Sequence, residues 1–127
     1  MSLNKNKVAL ITGITGQDGS YLSEYLIELN YNIYGIVRRH SVCENQSTRI
    51  EHLLKDNKIK CFYGDINDIS SLNEIIKKTQ PDEVYNLAAQ SHVQVSYEMP
   101  QFTCQTNSIG TLNILEACRI NCPNAKI

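Results

Sequence analysis

Apolar and polar positions follow two alternating rhythms along this chain. Residues 8–12 are an almost unbroken apolar run, the pattern of a strand covered on both faces. Residues 20–30 instead place Tyr21, Leu22, Tyr25, Leu26 and Leu29 on one helical stripe. Residues 32–37 predict a second strand and 58–63 a third. Between them, the polar stretch 38–47 predicts a loop, and 48–55 a short helix with Ile50, Leu53 and Leu54 inward. Residues 68–79 predict a helix buried through Leu72, Ile75 and Ile76, with Ser71 and Glu74 forming a capping box. Pro81 and Asp82 break the chain before a fourth strand at 83–87. Residues 88–100 have weak periodicity and read as a functional loop. A last helix is expected over about 101–121, with Ile109, Leu112, Leu115 and Cys118 as its core face. Residues 125–127 read as the start of a fifth strand.

Strands that alternate with helices require crossover connections, and so a parallel sheet with helices on both faces. Ligands in such sheets lie at the carboxyl ends of the strands, near the switch in strand order. Four segments of chemical interest fall just after predicted strands. They are the glycine turn after residue 12, the Arg38 region, Asp65, and residues 88–91.

Composition narrows the function classes. Hydrophobic residues make up 42% and charged residues 20% of 127 positions, which argues for a packed domain and against disorder. The formal net charge is −1 and Lys and Arg form no long run, so neither nucleic acid nor an anionic membrane is an expected partner. No apolar stretch is long enough to span a bilayer. Residues 1–7 are polar and carry no apolar signal core, so a cytoplasmic location is expected. Cys43, Cys61, Cys104, Cys118 and Cys122 form no CxxC pair and read as free thiols in a reducing compartment. Cys118 and Cys122 have helical spacing but no further ligands nearby, so they are expected to pack as small hydrophobes and to hold no metal.

The segment Gly13, Ile14, Thr15, Gly16, Gln17, Asp18, Gly19 carries the strongest chemistry. Its three glycines are spaced three apart, after a strand and before a helix. Such a turn brings backbone N–H groups and the positive end of the helix dipole up to an anion. A dinucleotide pyrophosphate is the expected ligand. Asp18 at the helix start fits the dipole, and stabilising that start is at least as good a role for it as a ligand contact.

The end of the second strand separates the two nicotinamide cofactors. An acidic residue there would accept from the ribose 2′-hydroxyl of NAD. This chain has Arg38 and Arg39, followed by His40 and Ser41, and guanidinium forks match the 2′-phosphate of NADP. A solvated basic loop is the alternative. Asp65 suits the exocyclic amine of adenine with Ile66 beside the base, and Asp after Gly is also a common turn element. The small residues of Leu87, Ala88, Ala89, Gln90 and Ser91 let the backbone approach a ribose or diphosphate. His92 has no carboxylate partner in view, and ordering the loop suits it better than general-base work.

These segments resemble the extended short-chain dehydrogenases/reductases. Residues 12–22 match the N-terminal signature of that family, and the continuation Gln17 to Leu22 resembles its GDP-mannose 4,6-dehydratase branch. Residues 37–39, 49–53, 63–65, 85–87 and 89–93 resemble the same branch, so the likeness covers essentially the whole chain. It implies a three-layer Rossmann-like α/β fold, with an incomplete parallel sheet of about five strands in a single NADP-binding domain over 1–127. It also implies that residues 13–19 wrap the pyrophosphate and that residues 38–41 take the 2′-phosphate. Asp65 and Ile66 would hold adenine, and residues 87–91 the ribose and nicotinamide side. The family usually has Tyr where Phe102 stands, so one cofactor hydrogen bond is missing there. The loop 40–47, with Cys43 and Glu44, is less Ser-rich than the family version. In the family this loop reaches a neighbouring subunit, which implies a homo-oligomer.

The implied reaction is an internal redox dehydration of a nucleotide sugar, GDP-mannose, to GDP-4-keto-6-deoxymannose and water, a step toward fucose and related deoxysugars. The family's catalytic Ser/Thr, Glu and Tyr-x-x-x-Lys lie downstream of the matched segments. None of the seven Tyr residues here has Lys four positions on. The expectation is therefore a cofactor-binding fragment with no catalytic residues and no activity of its own. Another nucleotide-sugar reductase or epimerase, or a non-catalytic dinucleotide-binding module, are the alternatives.

Overall fold

A computed structural model describes residues 6–39 and 49–127. In chain order its elements are β1 (Val8–Thr12), α1 (Gln17–Glu28), β2 (Asn32–Val37), α2 (Glu51–Lys55), β3 (Ile59–Tyr63), α3 (Ile69–Thr79), β4 (Glu83–Asn86), α4 (Val93–Glu98), α5 (Pro100–Cys104) and α6 (Gly110–Asn121). A π-helical turn, Gln105–Ile109, joins α5 to α6.

The strands form one parallel sheet in the order β3-β2-β1-β4. All five residues of β1 are buried, as its apolar run requires of a strand with neighbours on both sides and helices on both faces. Its side chains alternate between two cores. Leu10 joins Ile36, Leu72, Ile76, Val84 and Ile114 on the α3/α6 face. Ala9 and Ile11 join Ile14, Leu26, Ile33, Leu53 and Ile59 on the α1/α2 face. Fully buried Leu or Ile side chains such as these each stabilise the fold by about 1.5–3 kcal/mol relative to exposure.

The chain runs β1 to β2 to β3 in one direction, then returns to place β4 on the other side of β1. The switch in strand order therefore lies between the carboxyl ends of β1 and β4, where a crevice opens in sheets of this kind.

Several sequence expectations change. The sheet has four strands among the described residues, and the expected fifth is a single parallel bridge from Lys126 to Glu83. Helix α1 starts at Gln17, three residues early, because Gly16 takes the extended N-cap conformation. Asp68, and not a Ser71–Glu74 box, caps α3: its Oδ1 accepts from the N–H groups of Ser70 and Ser71 at 3.1 and 3.5 Å. The region expected as a loop over 88–100 contains α4.

The face of α6 is also rotated from expectation. Thr106, Gly110, Ile114, Ala117 and Cys118 face inward, whereas Ile109, Leu112 and Leu115 are exposed. The last helix carries two apolar stripes. The one chosen for the core has small residues, Gly110 and Ala117, that let the helix approach Ile66 and α3. No described helix is long and apolar enough to cross a membrane.

Candidate functional site

The cleft at the switch point is built from the ends of all four strands and encloses about 300 Å³. After β1, Gly13 takes a left-handed conformation (φ 67°). A Cβ there would lie 2.7–2.8 Å from the backbone of Leu87 and Ala88. Only glycine allows the turn to press against the segment that leaves β4. At Gly19, a Cβ would collide with Gly13 O and the Ile14 backbone, so helix α1 begins tight against the turn it follows.

The turn is closed by Gly16 N–H donating to Gly13 O at 3.0 Å, and Ser20 N–H makes the first bond into α1, to Gly16 O, at 3.0 Å. Among the described residues, no side chain caps α1. The N–H groups of its first turn, from Gln17 to Gly19, are thus left for an external acceptor at the positive end of the dipole. Asp18 is exposed in that turn, and the Ile14 side chain is fully buried in the core below it.

Thr12 joins the two strand ends. Its hydroxyl donates to Asn86 Oδ1 at 2.6 Å and accepts from Ala88 N–H at 3.1 Å, while its carbonyl accepts from Leu87 N–H at 3.3 Å. The segment beyond is held from the π-turn. Gln90 N–H donates to Asn107 Oδ1 at 2.8 Å, and Asn107 Nδ2 donates back to Gln90 O at 2.9 Å. Gln90 Nε2 donates to Thr103 Oγ1, and Gln90 Oε1 accepts from His92 N–H. His92 caps α4, its Nδ1 accepting from Val95 N–H at 3.4 Å. This gives His92 the ordering role expected of it.

Of the residues singled out from sequence, Gly13, Thr15, Gly16, Arg38, Ile66, Leu87, Ala88, Ala89 and Ser91 line the cleft together. Gln17, Asp18 and Gly19 lie behind it in the first turn of α1. Arg39 is exposed beside Arg38, outside the lining. Asp65 sits between the lining residues Gly64 and Ile66, and its Oδ1 accepts from Asn67 N–H at 2.9 Å in a local turn. Gln90 serves as a brace behind the wall, and Phe102 lies on α5 outside the lining. Ser41 falls outside the described residues, as does most of the 38–47 segment.

Three contributors were not legible. Arg49 lines the cleft at the start of α2, and its Nη1 donates to Thr15 O at 3.3 Å. Nothing in its spacing from β2 marks it. Thr106 and Asn107 arrive on the π-turn, which no local pattern announces. Thr12 did carry a signal, a hydroxyl at the last position of a buried strand. Arg38 and Arg49 are the charged residues of the described lining, and no carboxylate joins them. The site is cationic, and with its glycine turn and uncapped helix it fits a phosphate-bearing ligand.

Known proteins carry the same pattern. The sequence profile of the GDP-mannose 4,6 dehydratase family matches residues 10–127. The chain is 54% identical over 122 residues to a GDP-mannose 4,6-dehydratase of Vibrio cholerae serotype O1, covering 92% of this chain and 32% of that protein. It is 52% identical to one of Drosophila melanogaster (91% and 30%) and 48% identical to the human one (88% and 31%). Among solved structures, it is similar to the UDP-glucose 4-epimerase of Thermus thermophilus in complex with NAD, with TM-score 0.73, 27% identity, and 88% and 33% of the two chains covered. It is likewise similar to the Bordetella bronchiseptica enzyme WbmH in complex with NAD⁺, with TM-score 0.71, 29% identity, and 92% and 36% covered. The chain thus spans about a third of the length of the relatives it matches. With a match over residues 10–127, the chain belongs to the GDP-mannose 4,6 dehydratase family.

Proposed function

We propose that this chain is the NADP-binding part of a dehydratase that converts GDP-mannose to GDP-4-keto-6-deoxymannose and water. One observation carries the reading: a glycine turn, an uncapped helix start and two guanidiniums share a cleft at the sheet's switch point. In this reading the amides of residues 13–19 hold the pyrophosphate. Arg38, helped by Arg39 and Ser41 and flanked by Arg49, takes the 2′-phosphate. Asp65 and Ile66 receive adenine. Residues 87–91 line the ribose and nicotinamide side, which Phe102 supports without a hydroxyl. Held by these residues, oxidised NADP would supply reversible hydride acceptance for the loss of water from the mannosyl unit.

The chain's own residues bind and orient. The pyrophosphate meets fixed dipoles, so little reorganisation accompanies binding. The Thr12–Asn86 and Gln90–Asn107 bonds keep the nicotinamide-side wall in place. No Tyr-x-x-x-Lys pair occurs in these 127 residues, so the reading assigns them no proton transfer. A cytoplasmic homo-oligomer completes the proposal.

A second reading, an NAD-dependent nucleotide-sugar epimerase, is favoured by the solved neighbours, an epimerase and a second enzyme that both hold NAD. The two arginines at the cleft oppose it, because NAD has no 2′-phosphate for them to meet.

The test is a graft. Residues 7–127 replace the matching third of the Vibrio cholerae relative, and the chimera is incubated with GDP-mannose and NADP⁺. The expected product is a GDP-sugar lighter by one water, with NADP⁺ unconsumed, and the 127-residue chain alone should form none. A product of unchanged mass, or accumulation of NADPH, contradicts the reading.

A further inference from the structure

Helix α2 has five residues, too few to hold a helix without tertiary contacts. Two side chains dock it. Ile50 and Leu53 are 1% and 6% exposed and sit in the core with Ile14 and Leu26. Two buried points on one face define an axis, and the helix can still roll about it. Arg49 immediately precedes Ile50 and lines the cleft, so a roll would carry its guanidinium toward the cleft or away from it.

One further contact opposes the roll. His52 Nε2 lies 2.9 Å from Glu24 Oε1, across from α2 to α1. A carboxylate only accepts, so the ring donates from Nε2. Among the described residues, this is the one ion pair that joins α2 to another element; Glu51 pairs instead with Lys55 on the same helix, at 2.8 Å. Glu24 and His52 are both about half exposed, and an exposed pair adds little to overall stability. Its effect is geometric. It ties α2 to α1, while Arg49 Nη1 donates to Thr15 O in the turn that precedes α1.

We propose that Glu24 and His52 are positioning residues for NADP selection: their bond sets the roll of α2 and so holds the Arg49 guanidinium at the cleft, beside Arg38, where it meets the 2′-phosphate. The inference rests on the dinucleotide reading above and adds two residues that lie outside the cleft and touch no ligand in it. The sign of the expected effect separates this role from bulk electrostatics. Glu24 is an acid, and charge alone predicts that a phosphate binds more tightly without it. Loss of its hold on His52 predicts weaker binding.

The experiment titrates the full chain, E24A, E24Q, H52A, R49A and the double variant E24A/R49A with NADP⁺ and NAD⁺. R49A is expected to weaken NADP⁺ about tenfold, as a charge-assisted hydrogen bond predicts. E24A and H52A should each weaken NADP⁺ about threefold to fivefold, the coupling of an exposed pair, and change NAD⁺ less than about twofold. E24Q keeps an acceptor for His52 without the charge and should return NADP⁺ affinity to within about twofold of the parent. In the R49A background, E24A should have no further effect on NADP⁺. Thermal melting checks that the variants fold. If E24A leaves NADP⁺ affinity unchanged or raises it, weakens both nucleotides equally, or keeps its effect in R49A, the pair does not position Arg49. If R49A binds NADP⁺ as the parent does, the pair has nothing to position and the proposal fails, while the dinucleotide reading stands. If the parent binds neither nucleotide, the dinucleotide reading itself falls.

Discussion

The hydroxyl of Thr12 lies 2.6 Å from Asn86 Oδ1 and donates to it, joining the carboxyl end of the central strand to that of its neighbour. Thr12 is 1% exposed, so the bond is shielded from water. The same oxygen accepts from Ala88 N–H. One side chain therefore fixes both walls of the cleft at the point where Gly13 presses on Leu87.

Removing that hydroxyl leaves one carbonyl oxygen and one N–H short of a partner. T12V is expected to destabilise the protein by about 1–3 kcal/mol, and T12S by less than about 1 kcal/mol. Urea denaturation of the three proteins measures it. A T12V midpoint equal to the parent's would show that the bond contributes nothing.

Alanine at Gly13 meets two obstacles, a left-handed backbone and a Cβ less than 3 Å from the next strand end. G13A is expected to cost about 1–3 kcal/mol from strain alone. It should also lower nucleotide affinity at least about tenfold, because the turn must shift away from the anion it cradles. Calorimetric titration alongside melting separates the two effects. Unchanged affinity would mean that the turn does not hold the ligand.

Burial pushes the Cys118 thiol up to about 12 and the Cys61 thiol up to about 11, from an ordinary value near 9. The folded state keeps these protons after the unfolded chain has lost them. Their stabilising effect is therefore complete below pH 9 and is lost as pH rises toward 11–12. The difference in stability between the parent and C118A should narrow from about pH 8 to about pH 10.5. A difference independent of pH would contradict the assignment. At about pH 8, exposed Cys104 should alkylate well before Cys118.

Much of this arrangement was legible in the chain. The runs that form β1 and β2 need no tertiary information, because strands covered on both faces are apolar throughout. The glycine turn was legible because sterics restrict what can stand at Gly13. Periodicity failed at the last helix, where Ile109, Leu112 and Leu115 form as regular a stripe as the buried one. Periodicity shows that a face exists, and the small residues Gly110 and Ala117 decide which face packs. Arg49, Thr106 and Asn107 carry no local signal, because their roles depend on where α2 and the π-turn dock, which is set by contacts distant in sequence.

The most direct measurement is titration of the parent and R38A with NADP⁺ and NAD⁺. The account predicts that the parent prefers NADP⁺ by at least about tenfold, and that R38A loses about 1–3 kcal/mol toward NADP⁺ while its affinity for NAD⁺ stays within about threefold. Equal affinity of the parent for the two nucleotides, or a preference that survives R38A, would contradict it.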